Sequence, residues 1–112
     1  MNLLSSVKVI DNSKLFFSSV ELSKILACYS LGVSRGSWKD YSIYFGVKEA
    51  IFCMYKHSYA SPDCILTKTI KNRKNRKKNI IYNLELKNKN KSKSREIDDL
   101  ICLLKRKELK VF

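Results

Sequence analysis

Glycine, proline and histidine are all scarce in this chain of 112 residues, which has three glycines, one proline and one histidine. The glycines, Gly32, Gly36 and Gly46, form neither a G-x-G-x-x-G nor a Walker sequence, which argues against a nucleotide-dependent enzyme. The single histidine, His57, falls at the end of a predicted strand, where a surface histidine leading into a turn is more common than a general base. We therefore predict no catalytic residues and no cofactor, and a binding protein is favoured over an enzyme.

Long apolar runs are also missing. No stretch approaches the roughly 20 apolar residues that a membrane span requires, and residues 1–14 lack the basic start and apolar centre of a signal peptide. The four cysteines include no C-x-x-C pair, which favours reduced thiols over a disulfide framework or a zinc site. We therefore expect a cytoplasmic protein with no membrane span and no metal. Its cysteines are interpreted as small apolar residues.

Basic charge is what the sequence has in excess. Lysine and arginine number 23 against 10 acidic residues, a net charge of +13, and residues 71–95 alone contribute +10. These basic residues form two runs, 71–79 and 87–95, which we predict to be loops at opposite ends of one strand. The basic residues of the two runs are Lys71, Arg73, Lys74, Arg76, Lys77, Lys78, Lys87, Lys89, Lys91, Lys93 and Arg95.

Two interpretations of the basic runs stay open. In one, the protein binds RNA or DNA: the cations neutralise phosphates while Tyr44, Tyr55 and Tyr59 stack on bases. In the other, the runs are solvated surface in a chain rich in Lys, Asn, Ile and Tyr, as AT-rich genomes encode. No RNP-like, KH-like or zinc-knuckle pattern is present. Nucleic-acid binding is therefore the alternative function rather than the leading one.

Two amphipathic helices are predicted near the two ends of the chain. Ser18 and Glu21 form an S-x-x-E capping box, and apolar residues then recur every three or four positions. The first helix is therefore predicted at about residues 19–35, with Gly36 suited to the left-handed conformation that ends it. Ser94 is predicted to cap the second helix, because acidic residues follow in what would be its first turn.

Four alternating segments between the helices predict an antiparallel meander, at residues 38–45, 50–57, 64–70 and 80–87. The predicted fold class is α+β: a four-stranded antiparallel meander sheet with one face covered by the N-terminal and C-terminal amphipathic helices. Residues 16–112 are predicted to form this single domain. Residues 1–15 are predicted to be a loose N-terminal segment or a short strand.

Trp38, Asp40 and Tyr41 are the most distinctive cluster in the sequence, directly after the predicted end of the first helix. A functional interpretation makes Trp38 and Tyr41 a packing platform and Asp40 a polar anchor for a protein or small ligand. A structural interpretation places Trp38 at the edge of the core, with Asp40 bonding backbone amides in the turn. The leading predicted function is a small binding or adaptor module whose partner is unknown.

The same region resembles a family of short alphaproteobacterial proteins of unknown function. The resemblance is carried by Glu21-Leu22-x-x-Ile25-Leu26-x-x-Tyr29, Val33-x-x-Gly36-x-Trp38-x-Asp40-Tyr41-x-Ile43, Ala50-x-Phe52 and Pro62. It covers about residues 16–70, and the Gly-x-Trp-x-Asp-Tyr segment is its most distinctive part. The resemblance implies a bacterial cytosolic protein, and it supplies no activity, cofactor or catalytic residue. The chain departs from the family pattern at 87–95.

Overall fold

The computed structural model describes residues 14–57, 61–72 and 78–110. The segment predicted at 1–15 therefore lies almost wholly outside the described residues, as do Tyr59 and the basic residues Arg73, Lys74, Arg76 and Lys77. The elements in chain order are α1 (Ser19–Ser34), β1 (Asp40–Phe45), β2 (Glu49–Tyr55), β3 (Cys64–Asn72), β4 (Lys78–Leu86), β5 (Lys91–Ser94), α2 (Ile97–Leu104) and a π-helical turn (Lys105–Leu109). The predicted α+β class is confirmed.

The sheet is an antiparallel meander in the order β1-β2-β3-β4-β5, so it has one strand more than predicted. The extra strand, β5, lies inside the run 87–95, which was predicted to be a loop because of its charge. Within it, half-buried Ser92 and Ser94 alternate with exposed Lys91 and Lys93. An edge strand tolerates this pattern, because its lysines stay in solvent and discourage pairing with another chain.

The two basic loops are both shorter than predicted. Strand β3 continues to Asn72 and β4 already begins at Lys78, with Lys71 paired to Asn79. The loop predicted at 71–79 therefore loses residues at both ends. Strands can continue through polar residues where the sheet reaches solvent. The change from apolar to basic residues therefore did not mark the ends of the strands. At the other end of β4, the connection to β5 is a tight turn at 87–90, where Lys89 has a φ of 70°.

The start and end of α1 agree with the prediction. The Glu21 N–H donates to Ser18 Oγ at 3.1 Å and the Ser18 N–H donates to Glu21 Oε1 at 2.8 Å, which completes the capping box. After the helix, Gly36 has a φ of 78°. This left-handed backbone conformation favours glycine, because the Cβ of any other residue clashes with its own backbone there.

The predicted cap of α2 is wrong. Ser94 is still paired with Tyr82 in the sheet, and the helix begins at Ile97 after Glu96. The Ser94 hydroxyl instead accepts a hydrogen bond from the Glu96 N–H at 3.0 Å and donates one to Asp99 at 2.7 Å. Ser94 therefore orders the connection between β5 and α2 rather than capping the helix.

Both helices pack into one hydrophobic core with a single face of the sheet, the inner face. Its buried strand residues are Ala50, Phe52, Met54, Cys64, Leu66, Tyr82, Leu84 and Leu86, and α2 adds Ile97, Leu100, Ile101 and Leu104. The helices also contact each other: Lys24 of α1 forms a salt bridge with Asp98 at 2.8 Å, and Arg35 donates to the Leu109 carbonyl at 3.3 Å. None of the helices in the described ranges is long and apolar enough to cross a membrane.

The four cysteines are all free thiols. Cys28 and Cys64 are buried in the core, as expected of small apolar residues, and burial raises the pKa of Cys28 to about 11. Burial also raises the pKa of Cys64. Cys102 departs from the prediction because it lies on the solvent side of α2 and is exposed.

Candidate functional site

The face of the sheet opposite the core is called the open face here, because both described helices pack on the inner face. Strand residues alternate between the two faces, so every second residue of each strand points to the open one. The open-face residues of β2, β3 and β4 include Ile51, Cys53, Tyr55, Ile65, Thr67, Thr69, Ile81 and Asn83, all half-buried. The face is therefore partly apolar at its centre and accessible to solvent.

One row of residues crosses the whole open face. The strand register places Tyr44 opposite Ile51, Ile51 opposite Thr67, Thr67 opposite Asn83, and Asn83 opposite Lys93. With strands spaced about 4.8 Å apart, this central row is roughly 19 Å long. It runs from an aromatic ring on β1, through a hydroxyl and an amide, to a cation on β5.

Three lysines lie on the open face of β3 and β5. Lys71 is exposed near the end of β3, while Lys91 and Lys93 are exposed on β5. Because β5 runs back alongside β4, it brings Lys93 toward the first basic run, while the turn at 87–90 stays at the opposite end of β4. From the register, the Lys71 and Lys93 backbones are about 17 Å apart.

The acidic residues of the open face make its charge uneven. Asp40 and Glu49 occupy open-face positions of β1 and β2, whereas Glu85 stands opposite Lys91 on β4. Lysines therefore outnumber acids on β3, β4 and β5, and the reverse holds on β1 and β2. The part of the open face formed by β3, β4 and β5 is called the basic half below.

Two of the three tyrosines predicted to stack on bases lie on the open face. Tyr44 is 58% exposed. Gly46 leaves room for its ring, because a Cβ at that position would come within 3.0 Å of it. Tyr55 is half-buried, and its hydroxyl lies 3.0 Å from Ser42 Oγ. Tyr44 is therefore the more accessible platform for a planar ligand.

A cavity of about 420 Å³ opens on the basic half. Its lining includes Thr67, Asn83, Glu85, Lys91 and Lys93, together with Leu84 and Ser92. No hydrogen bond joins the side chains of Thr67 or Asn83 to another residue within the described part of the chain. The cavity therefore offers a hydroxyl, an amide, a carboxylate and two ammonium groups to a ligand.

The structure separates the predicted cluster of Trp38, Asp40 and Tyr41. Trp38 is only 1% exposed and packs against Gly32, so its ring is not accessible to a ligand in this structure, as the structural interpretation expects. An indole of this size contributes more by filling the core between helix and sheet than it would in solvent. Asp40 accepts a hydrogen bond from the Tyr41 N–H at 2.8 Å. These positions follow the structural interpretation of the two side chains.

Tyr41 remains partly accessible, and the residue is 42% exposed. Its ring is nearly parallel to that of Phe52, with centroids 5.1 Å apart, and it meets the edge of Tyr29 at 4.9 Å. Tyr41 therefore covers the rim of the core while leaving one side free. Together with exposed Asp40 it forms a small polar and aromatic edge at the start of β1.

A buried polar cluster that the sequence analysis missed joins α1 to the sheet. Lys68 is 6% exposed, and its ammonium donates to Glu21 Oε1 at 2.8 Å and to the Phe16 carbonyl at 2.9 Å. The Tyr82 hydroxyl donates to the other Glu21 oxygen. One signal was available: Lys68 falls in phase with the inward residues Cys64 and Leu66, where a lysine needs a partner.

The pKa values of this cluster reflect that pairing. Burial by itself raises the pKa of Glu21, but hydrogen bonds from Lys68, Tyr82 and the Ser18 N–H, together with the Lys68 charge, outweigh it and lower the pKa. Burial and the bond to Glu21 raise the pKa of Tyr82. Every polar atom of the cluster is used within the protein, so it stabilises the fold rather than serving a ligand.

Other reactive side chains are dispersed. No group of three His, Cys, Asp or Glu side chains in the described ranges is close enough to hold a metal ion. His57 is exposed just after β2. The open face, by contrast, brings an exposed aromatic ring, polar side chains and lysines together on one surface.

Comparison with known proteins identifies a family rather than an activity. A family model described as a protein of unknown function (DUF2794) matches residues 15–97, about three quarters of the chain. The match runs from just before α1 to the first residue of α2, so it includes the complete sheet. No curated protein and no solved structure matches the chain.

Proposed function

This chain belongs to the DUF2794 family, whose function is unknown, and we propose that it binds nucleic acid through the open face of its sheet. One observation carries the proposal: the register places Lys91 and Lys93 on the same face as Lys71 and Tyr44, while both described helices occupy the other. Cations beside an exposed aromatic ring are the combination that single strands require, because phosphates need charge and bases need a stacking surface.

Electrostatics supports a polyanion as the ligand. The lysines of the basic half are exposed, so they can meet phosphates without the cost of removing a buried charge from its partner. Lys87 and Lys89, in the turn that leads into β5, add positive charge at the end of the sheet where Lys91 lies. Asp40 and Glu49 would repel a phosphate backbone from β1 and β2. The backbone is therefore expected to follow β3 to β5, with bases directed toward the centre of the face.

A second candidate keeps the adaptor function predicted from the sequence. Exposed Asp40 and half-accessible Tyr41 form an edge that an unidentified protein or small ligand could contact. This edge is separate from the basic half, so substitutions distinguish the two candidates. For either function we propose a cytoplasmic location, because free thiols such as those of Cys28 and Cys64 persist in reducing compartments.

The test is fluorescence anisotropy with labelled single-stranded RNA, single-stranded DNA and duplex DNA across a salt series. The variant Lys91→Gln/Lys93→Gln removes two cations from the open face. The matched control, Arg106→Gln/Lys107→Gln, removes the same charge from exposed residues of the π-helical turn. Circular dichroism of both variants confirms that they are folded.

We expect binding near physiological salt that the open-face variant weakens and the control largely retains. If both lysines contact phosphates, the open-face variant should also flatten the log–log salt dependence by about 1.4 for a single strand. Equal losses in both variants would mean that net charge alone is responsible, which contradicts a site on the open face. Binding confined to low salt would contradict the function itself. Absence of nucleic-acid binding, together with capture of a protein that Tyr41→Ala loses and the lysine variant keeps, would favour the second candidate.

A further inference from the structure

The cavity on the basic half contains a hydrogen-bonding group of each kind. The Thr67 hydroxyl donates and accepts, the Asn83 amide has a carbonyl and an NH₂ group, and the Glu85 carboxylate only accepts. Thr67 and Asn83 are directly opposite one another, which places their Cβ atoms about 5 Å apart. The cavity therefore presents donors and acceptors side by side on neighbouring strands.

Glu85 distinguishes among anionic ligands. It lines the cavity with Lys91 and Lys93. Although Glu85 and Lys91 are cross-strand partners, no salt bridge joins them in the part of the chain that the structure describes. A phosphate centred in the cavity would be repelled by this carboxylate, whereas an amino group would donate to it. A ligand that fits must carry negative charge at one end and an N–H donor at the other.

We infer that the cavity holds one unpaired base of a single strand, and that this base carries an exocyclic amino group. The inference rests on the proposed nucleic-acid binding and specifies its ligand. The amino group donates to Glu85, the ring edge bonds Asn83 and Thr67, and the adjoining phosphate lies on Lys93. Carboxylates accept from the amino group of cytosine, and asparagine pairs well with the edge of adenine. In a duplex those edges are paired or lie within a groove, so a single strand is preferred.

The sharpest comparison is between oligocytidine and oligouridine of equal length, because the two bases differ mainly in an amino group against a carbonyl. Anisotropy with labelled 12-mers of each gives a ratio of dissociation constants for every protein variant. Glu85→Gln keeps the shape of the side chain but can also donate to a carbonyl. Asn83→Leu removes the amide at similar volume and serves as the second variant. An abasic strand of the same length reports binding by charge alone.

We expect the wild-type protein to bind oligocytidine at least about fivefold more tightly than oligouridine, the lower end for one well-formed base contact. Glu85→Gln should abolish or reverse that ratio, and Asn83→Leu should reduce it, while each remains folded by circular dichroism. Equal binding of cytidine, uridine and abasic strands, with the lysine dependence intact, would overturn this inference and leave the proposed function standing. Absence of binding to every strand would overturn both.

Discussion

The indole ring of Trp38 lies so close to Gly32 that a Cβ built at the glycine would be 2.0 Å from a ring carbon. Gly32 is in α1, where glycine costs about 1 kcal/mol relative to alanine. The missing side chain creates the space that the ring fills, and both residues are buried. The weakness in the helix is therefore offset by the packing of the largest side chain in the core.

Gly32→Ala is expected to destabilise the protein in spite of its better helix propensity. The added methyl group must displace the Trp38 ring or separate α1 from the sheet, because the ring has no exposed side to move into. Overpacking of this kind costs about 1–3 kcal/mol and sometimes more. The measurement is the free energy of unfolding in urea, followed by far-UV circular dichroism.

Gly36→Ala provides the matched control, since no atom lies within 4 Å of a Cβ there. Gly36→Ala should lower the free energy of unfolding by about 1–2 kcal/mol, because alanine is strained in the left-handed conformation at this position. In the double variant Gly32→Ala/Trp38→Leu the two costs should be less than additive, because the smaller side chain accommodates the methyl group. Additive costs would show that Gly32 is required for a reason other than the tryptophan.

Lys68→Met should cost about 3 kcal/mol, because it leaves the Glu21 carboxylate with its charge partner removed in a partly buried site. Glu21→Gln/Lys68→Met should be more stable than Lys68→Met alone. The glutamine removes the unpaired charge, its carbonyl can still accept from the Ser18 N–H to complete the capping box, and its NH₂ group can donate to the Tyr82 hydroxyl oxygen. Urea unfolding of the single and double variants tests this ordering. A double variant less stable than the lysine variant would contradict it.

Acid should weaken the protein through Glu21. Its folded-state pKa lies below the ordinary value of 4.5, so its contribution to stability is complete above that value and is lost as pH falls through the lowered pKa. Glu21→Gln has no such group to titrate. The difference in thermal midpoint between the wild type and Glu21→Gln should therefore be larger at pH 7 than at pH 3. A constant difference would mean that Glu21 is not stabilised by its charge.

The thiols should differ sharply in reactivity. Cys102 is exposed and should react first with a thiol reagent at pH 8 in the native protein. Cys28 should react only on unfolding, because it is buried and its pKa is about 11. Stopped-flow absorbance with an aromatic disulfide measures these rates, and Cys102→Ser should remove the fastest phase. Persistence of that phase in the variant would assign it to another cysteine.

Local signals in the sequence predicted much of the fold correctly. The capping box at Ser18 and Glu21 located the start of α1, because it depends on residues three apart in one turn. Alternation located four of the five strands, because successive side chains in a strand point to opposite faces. The expectation of a family of unknown function is also confirmed, because the family model matches residues 15–97.

Predictions failed where a residue's environment depends on distant parts of the chain. The sequence predicts a loop where β5 lies, because its lysines are acceptable only at a sheet edge, and the edge is defined by the order of all five strands. The sequence leaves Trp38 with two interpretations, because nothing local reveals the space above Gly32 that the ring fills. Lys68 was overlooked because its partner Glu21 lies 47 residues earlier.

The sequence alone determined the excess of positive charge, the two amphipathic helices and the alternation that makes the strands, because each arises from composition or from spacing within a few residues. Tertiary structure decided where these features meet. Antiparallel pairing of β5 with β4 turned a charged run into part of an open face, and core packing removed Trp38 from the surface. Faces and cavities are built from residues on neighbouring strands, so strand order and register, rather than spacing along the chain, determine which side chains a ligand can reach together.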